Sequence, residues 1–119
     1  MSKFDKHLEE VINPAWNFAG RCTTKDQEKL NALIGLASEA GETLDIAKKQ
    51  FFHTEKSEEA FRDKYLSELG DVIFYWLKSV DLLGFTHKEV LDYNKKKLES
   101  RHPELGKVTE RYGKDAIRG

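Results

Sequence analysis

Cysteine is nearly absent from this 119-residue chain, where Cys22 stands alone. One thiol closes no internal disulfide, so the sequence predicts a reducing, cytoplasmic setting. Proline is as scarce at two residues, and glycine reaches only eight, which excludes collagen-like and low-complexity classes. Long hydrophobic runs are missing too. The longest, Val72 to Leu77, has six residues, whereas a bilayer-crossing helix needs about 20. The opening Met1-Ser2-Lys3-Phe4-Asp5 carries no apolar signal region, and no membrane partner is expected. Nor does one sign of charge dominate: 20 Lys and Arg stand against 21 Asp and Glu, a net of −1. A protein that coats a nucleic-acid polymer is normally basic, so that class is excluded.

What is present is a single domain's worth of chain, with a motif-bearing core at about 25–101 and a polar tail at 102–119. Hydrophobic residues make up 39%, enough for a core but lean for a monomer. Charge is uneven along the chain. Residues 88–118 carry a net of +3 and the remainder −4, an arrangement suited to a ligand that holds both cations and phosphates.

Strand-like alternation is absent, and caps punctuate a helical pattern. Thr24 with Gln27 and Thr86 with Glu89 have capping-box spacing, Ser57 is a further N-cap, and Gly84 marks a helix end. These signals predict an all-α protein of four helices, at about 4–18, 25–52, 58–83 and 87–101, forming a bundle-like protomer. Pro14 should kink the first helix or force it to begin there. At about 100° per residue, Leu30, Leu33, Ile34, Ala37, Gly41, Leu44 and Phe51 share one side of the second helix and are expected in the core. Glu39 and Glu42 fall on another side, with Gly35 and Ile46. In the third helix, Leu66, Leu69, Val72, Ile73, Trp76, Leu77, Val80 and Leu83 form the corresponding stripe, with Glu68, Asp71 and Tyr75 at its edge.

Two short patterns carry the chemistry, Glu39-Ala-Gly-Glu42 and Glu68-Leu-Gly-Asp71, with 25 residues between them. A spacing of three puts both carboxylates of a pair on one helical face. Packed antiparallel, the two helices would bring the pairs to one level. Converging carboxylates repel unless a cation lies among them, and hard divalent ions suit oxygen ligands, Mg²⁺ before Ca²⁺. Gly41 and Gly70 sit inside the pairs, and glycine costs about 1 kcal/mol against alanine in a helix interior; close approach of a backbone or ligand would explain them. Spacing alone is weak, since Glu55 with Glu58 and Glu89 with Asp92 share it. Only the 39/42 and 68/71 pairs add apolar flanks, an internal glycine and a matching partner. The fourth helix aligns Asn94, Lys97 and Arg101 on one face, cations suited to phosphate oxygens.

Together these residues are recognisable. Gly35-Leu-Ala-Ser-Glu39-Ala-Gly-Glu42, Glu68-Leu-Gly-Asp71-Val-Ile-Phe-Tyr-Trp and Asn94-Lys-Lys-Lys97-Leu-Glu-Ser-Arg101 resemble the MazG-like nucleoside triphosphate pyrophosphohydrolases of the all-α NTP pyrophosphatase superfamily, over about residues 28–101. The resemblance implies an Mg²⁺-dependent hydrolase, with Mn²⁺ a substitute, that cuts nucleoside triphosphates between the α- and β-phosphates by way of activated water. It implies Glu39, Glu42, Glu68 and Asp71 as catalytic metal ligands, with Glu39 the choice of base, and Asn94, Lys97 and Arg101 as triphosphate contacts. Ser38 stands where several relatives carry another Glu, which argues against a five-carboxylate site and a dUTPase. The family implies a homodimer or homotetramer in a bacterial or phage-infected cell, with a base pocket partly at the interface. Trp16, Phe18 and Tyr75 are the candidates to stack on the base, with Asn17 an edge reader; Phe74 and Trp76 are assigned to packing.

Three other readings remain open from sequence. The same fold could act on phosphoribosyl-ATP or a modified nucleotide. It could be a non-catalytic helical interaction module. A di-iron carboxylate bundle is disfavoured because the Glu-x-x-His pairs of such sites are absent, and the four histidines and one cysteine show no zinc spacing.

Overall fold

A computed structural model describes residues 1–20, 22–52 and 58–104. The chain is all-α. Helix α1 spans Lys3–His7, a π-turn Leu8–Ile12, α2 Asn13–Ala19, α3 Lys25–Phe52, α4 Glu58–Leu82 and α5 His87–Arg101. Two compact units result, Met1–Gly84 and Phe85–Gly119, each treated on its own below.

The ends follow the local chemistry. Ser2 and Asp5 form a reciprocal capping box at α1. At α3, the Gln27 backbone N–H donates to Thr24 Oγ1, and Gln27 Oε1 accepts from the backbone N–H and hydroxyl of Thr23, one residue earlier than expected. The Thr86–Glu89 box caps α5 as its spacing predicts. Gly84 adopts φ 83°, the left-handed conformation that ends α4 without a steric cost. Ser57 lies outside the described residues.

Pro14 stands in the first turn of α2, one of the two outcomes expected of it. The π-turn just upstream absorbs it: the Asn13 N–H reaches back five residues to the Leu8 carbonyl, and in a first turn the missing proline N–H is harmless. The same turn brings Ile12, fully buried, against α4.

Helices α3 and α4 form the antiparallel hairpin that dominates the first unit. Its direction shows in cross-helix neighbours that run opposite ways, Gln50 with Tyr65 and Gly35 with Tyr75. Here the structure overturns the expected core. The stripe of Leu30, Leu33, Ile34, Leu44 and Phe51 faces outward, with Leu30 60%, Ile34 58% and Leu44 70% exposed. The inner face of α3 is the one with Ala32, Gly35, Glu39, Thr43 and Ile46. On α4 the same inversion leaves Leu66, Leu69, Ile73 and Leu83 exposed, while Leu77 and Val80 are buried as expected and Phe61, outside the expected stripe, is buried too. Each long helix therefore has two non-polar faces, one spent within the hairpin and one left open. Helical periodicity cannot rank two such faces, because it reports polarity and not which neighbour arrives.

Candidate metal centre

The inversion carries the acids inward. Glu39 on α3 and Glu68 on α4 are half-buried on the facing sides of the hairpin, while Glu42 and Asp71 lie exposed at its rim. Glu39, Glu42 and Glu68 each offer a carboxylate oxygen within 4.8 Å of the others. Asp71 stands outside this group of three, although its negative charge still acts on Glu39.

Electrostatics make the site unsatisfied. Glu39 Oε2 and Glu68 Oε2 are buried and have no hydrogen-bond partner. Buried carboxylate oxygens normally find donors, because an unpartnered one forfeits its hydration. The Glu68 carboxyl beside it pushes the Glu39 pKa up to about 7, with burial and the charges of Glu42 and Asp71 adding to the effect. Three converging carboxylates, two of them with a buried and unpartnered oxygen, fit a hard divalent cation.

Gly41 and Gly70 do not meet the explanation offered for them. A β-carbon at either would enter open space, with nothing within 4 Å. The glycine that permits close approach is Gly35, one turn before Glu39: a β-carbon there would overlap the Tyr75 ring. Tyr75 lies one turn beyond Asp71, so this contact sets the spacing of the two helices beside the carboxylates.

Next along the hairpin, a cleft of about 630 Å³ opens among Trp16, Asn17, Glu28, Asn31, Ile34 and Tyr75. Trp16 is held on three sides. Its indole N–H donates to Glu28 Oε1 at 3.0 Å, Lys78 Nζ sits 5.4 Å from the ring centroid, and Phe74 packs at 6.4 Å. Lys78 is itself 6% exposed and donates to Asn13 Oδ1 at 2.8 Å, with Asp81 at 3.7 Å. Phe18 is exposed on α2. Trp76 packs edge-on against Phe4, in keeping with its assignment to packing.

Sequence reasoning missed Glu28, Asn31 and Lys78 here. A lysine among Leu77, Ser79 and Val80 was a legible anomaly, whereas the Trp16–Glu28 bond spans 12 residues and has no local signal.

In the second unit, α5 exposes Asn94, Lys97 and Arg101. Asn94 and Lys97 border a separate cleft with Phe85, Val90 and Tyr93.

The MazG nucleotide pyrophosphohydrolase domain matches residues 27–106. The chain belongs to that family. No curated protein and no solved structure matches the chain. The match runs from α3 through α5 and so includes all four acids and the basic face of α5. No helix among the described residues is long and apolar enough to cross a membrane.

Proposed function

We propose that this MazG-family protein is an Mg²⁺-dependent nucleoside triphosphate pyrophosphohydrolase, with Mn²⁺ a substitute, that converts (d)NTPs to (d)NMP and pyrophosphate by hydrolysis between the α- and β-phosphates. The observation that carries this reading is the trio Glu39, Glu42 and Glu68, with two buried carboxylate oxygens lacking any partner. A bound divalent cation would neutralise charge on the phosphates and activate water.

The residues divide the remaining work. Glu39, Glu42 and Glu68 hold the cation, with Asp71 completing the set from the rim. Glu39, the most inward of the α3 pair, takes the proton of the attacking water. Asn94, Lys97 and Arg101 bind the triphosphate, where the guanidinium fork and the ammonium match phosphate oxygens. Trp16 and Tyr75, at the cleft one turn away, contact the base. We read 1–119 as one functional domain; the family match at 27–106, which reaches into both units, supports that reading.

A homodimer or homotetramer is the second element of the reading. Leu30, Ile34, Leu44, Leu66 and Leu69 are exposed apolar side chains along both long helices, the kind of surface that a second copy covers. Leu30 and Ile34 also line the cleft, so a second copy seated there would help close it. The cell compartment consistent with the lone Cys22 is the cytoplasm.

The test is pyrophosphate release from a panel of canonical and modified dNTPs and NTPs and from phosphoribosyl-ATP, with Mg²⁺ and with EDTA. Metal-dependent release of pyrophosphate and monophosphate is expected. Release confined to phosphoribosyl-ATP would replace the substrate assignment, and no release from any of them would overturn the activity.

A further inference from the structure

We propose that Glu28 makes the cleft selective for nucleobases whose pairing edge offers an amino group, as cytosine, adenine and guanine do, against uracil and thymine. The inference rests on the nucleotide-hydrolase reading above and names the substrate class within it.

Position comes first. The cleft and the carboxylates follow one another along α3 and α4. Ile34 and Tyr75 line the cleft, and Glu39 and Asp71 follow about one helical turn away, roughly 6 Å along the axis. A nucleotide with its phosphates at the carboxylates has this cleft within reach of its base. The volume, about 630 Å³, is that of a small-ligand site.

Chemistry then decides what the cleft reads. Among the described residues that line it, Glu28 is the charged one. Its side chain is 24% exposed, open enough to be reached and enclosed enough to hold one geometry. The indole N–H of Trp16 fixes Oε1, and that bond, ahead of the charges of Lys25 and Lys78, holds the carboxyl below its ordinary range. Glu28 is thus ionised and can only accept. Lys25 Nζ forms an ion pair with Oε2 at 3.7 Å, longer than a hydrogen bond, from a side chain that is 77% exposed. The carboxylate therefore keeps lone pairs for a ligand. An amino group satisfies them. Uracil and thymine present carbonyl oxygens on both sides of their single N–H, and those oxygens would be turned toward a fixed negative charge.

The wall opposite suits a base as well. Trp16 cannot swing away while its N–H is tied to Glu28 and its face to Lys78, whose amine is anchored on Asn13. A clamped indole is a flat surface for stacking that accepts any base. Selection is then left to the edge, and hence to Glu28.

The experiment is calorimetric binding of α,β-imido analogues of dCTP, dATP, dGTP, dUTP and dTTP to the full chain with Mg²⁺, for the wild type and Glu28→Gln. Glutamine keeps an acceptor for the Trp16 N–H but loses the charge and gains donors. The wild type is expected to bind the amino-bearing analogues at least ~10-fold more tightly than the other two. Glu28→Gln is expected to narrow or invert that ratio. Equal binding of all five by the wild type, tighter binding of dUTP or dTTP analogues, or a ratio unchanged in Glu28→Gln each overturns the proposal and leaves the hydrolase reading standing. Absence of binding by any analogue, with no pyrophosphate release, overturns both. The wild-type comparison stands even where the variant fails to fold.

Discussion

The ring of Tyr75 fills the space that a β-carbon on Gly35 would need. This contact sets how near α3 and α4 approach one turn from Glu39, and it assigns opposite outcomes to three glycine substitutions. Gly35→Ala gains about 1 kcal/mol of helix propensity but overpacks against a ring flanked by Phe74, at a cost of about 1–3 kcal/mol or more. Its melting temperature should fall. Gly41→Ala and Gly70→Ala enter open space and should each raise it, through a stabilisation of up to about 1 kcal/mol. Thermal unfolding followed by circular dichroism checks all three, and a more stable Gly35→Ala would refute the packing argument.

Removing charge from the acid group should separate stability from activity. Glu68→Gln places an amide N–H beside Glu39, supplies a donor to an oxygen that has none, and removes one repulsion. The metal-free variant is expected to melt higher than the metal-free wild type. Its turnover should drop by roughly a hundredfold or more, several kcal/mol of transition-state stabilisation. Wild-type turnover in Glu68→Gln would contradict the site assignment.

The pH dependence has a definite sign. Glu39 titrates at about 7 in the fold against 4.5 for an ordinary glutamate. Between those values the folded chain holds a proton that the unfolded chain has released. Stability of the metal-free protein should therefore decline as pH rises from about 4.5 to 7 and level off above it. A cation opposes this by favouring the ionised carboxylate, so Mg²⁺ should raise the melting temperature more at pH 8 than at pH 5. Melting curves with Mg²⁺ and with EDTA at both pH values measure the difference.

Lys97→Ala and Arg101→Ala remove cations from an exposed helical face and leave α5 a good helix former in place. Each should raise KM for a nucleoside triphosphate by about 10- to 150-fold, the equivalent of a charged hydrogen bond of about 1.5–3 kcal/mol. Helicity should not change. Steady-state kinetics beside circular dichroism decides the point, and an unchanged KM in both variants would remove α5 from the phosphate site.

The outward apolar stripe makes a prediction about assembly. Leu44→Glu places a charge on that open surface, at a side chain that is 70% exposed. Sedimentation should show an oligomer for the wild type and a shift toward monomer for the variant. A monomeric wild type would leave this surface without the proposed partner copy.

Much of the architecture was legible in the sequence because its signals are local. The capping box at Thr86 and Glu89, the left-handed Gly84 and the 3.6-residue periodicity of two long helices each act within a turn or two. The acid pairs were legible for the same reason, since a spacing of three fixes a shared face without reference to anything else. The family follows from those pairs in their order along the chain.

What only the tertiary structure decided is which face of each helix turns inward. Leu44 and Ile34 look like core and are exposed; Glu39 and Glu68 look like edge residues and face each other. Free energy of burial is summed over whatever surfaces meet, and the chain's own periodicity does not say which surfaces those are. The same holds for Trp16, Glu28 and Lys78, whose contacts cross from α2 to α3 and α4. Their pairing depends on where a π-turn before Pro14 delivers the N-terminal helix, a long-range geometric outcome with no counterpart in local spacing.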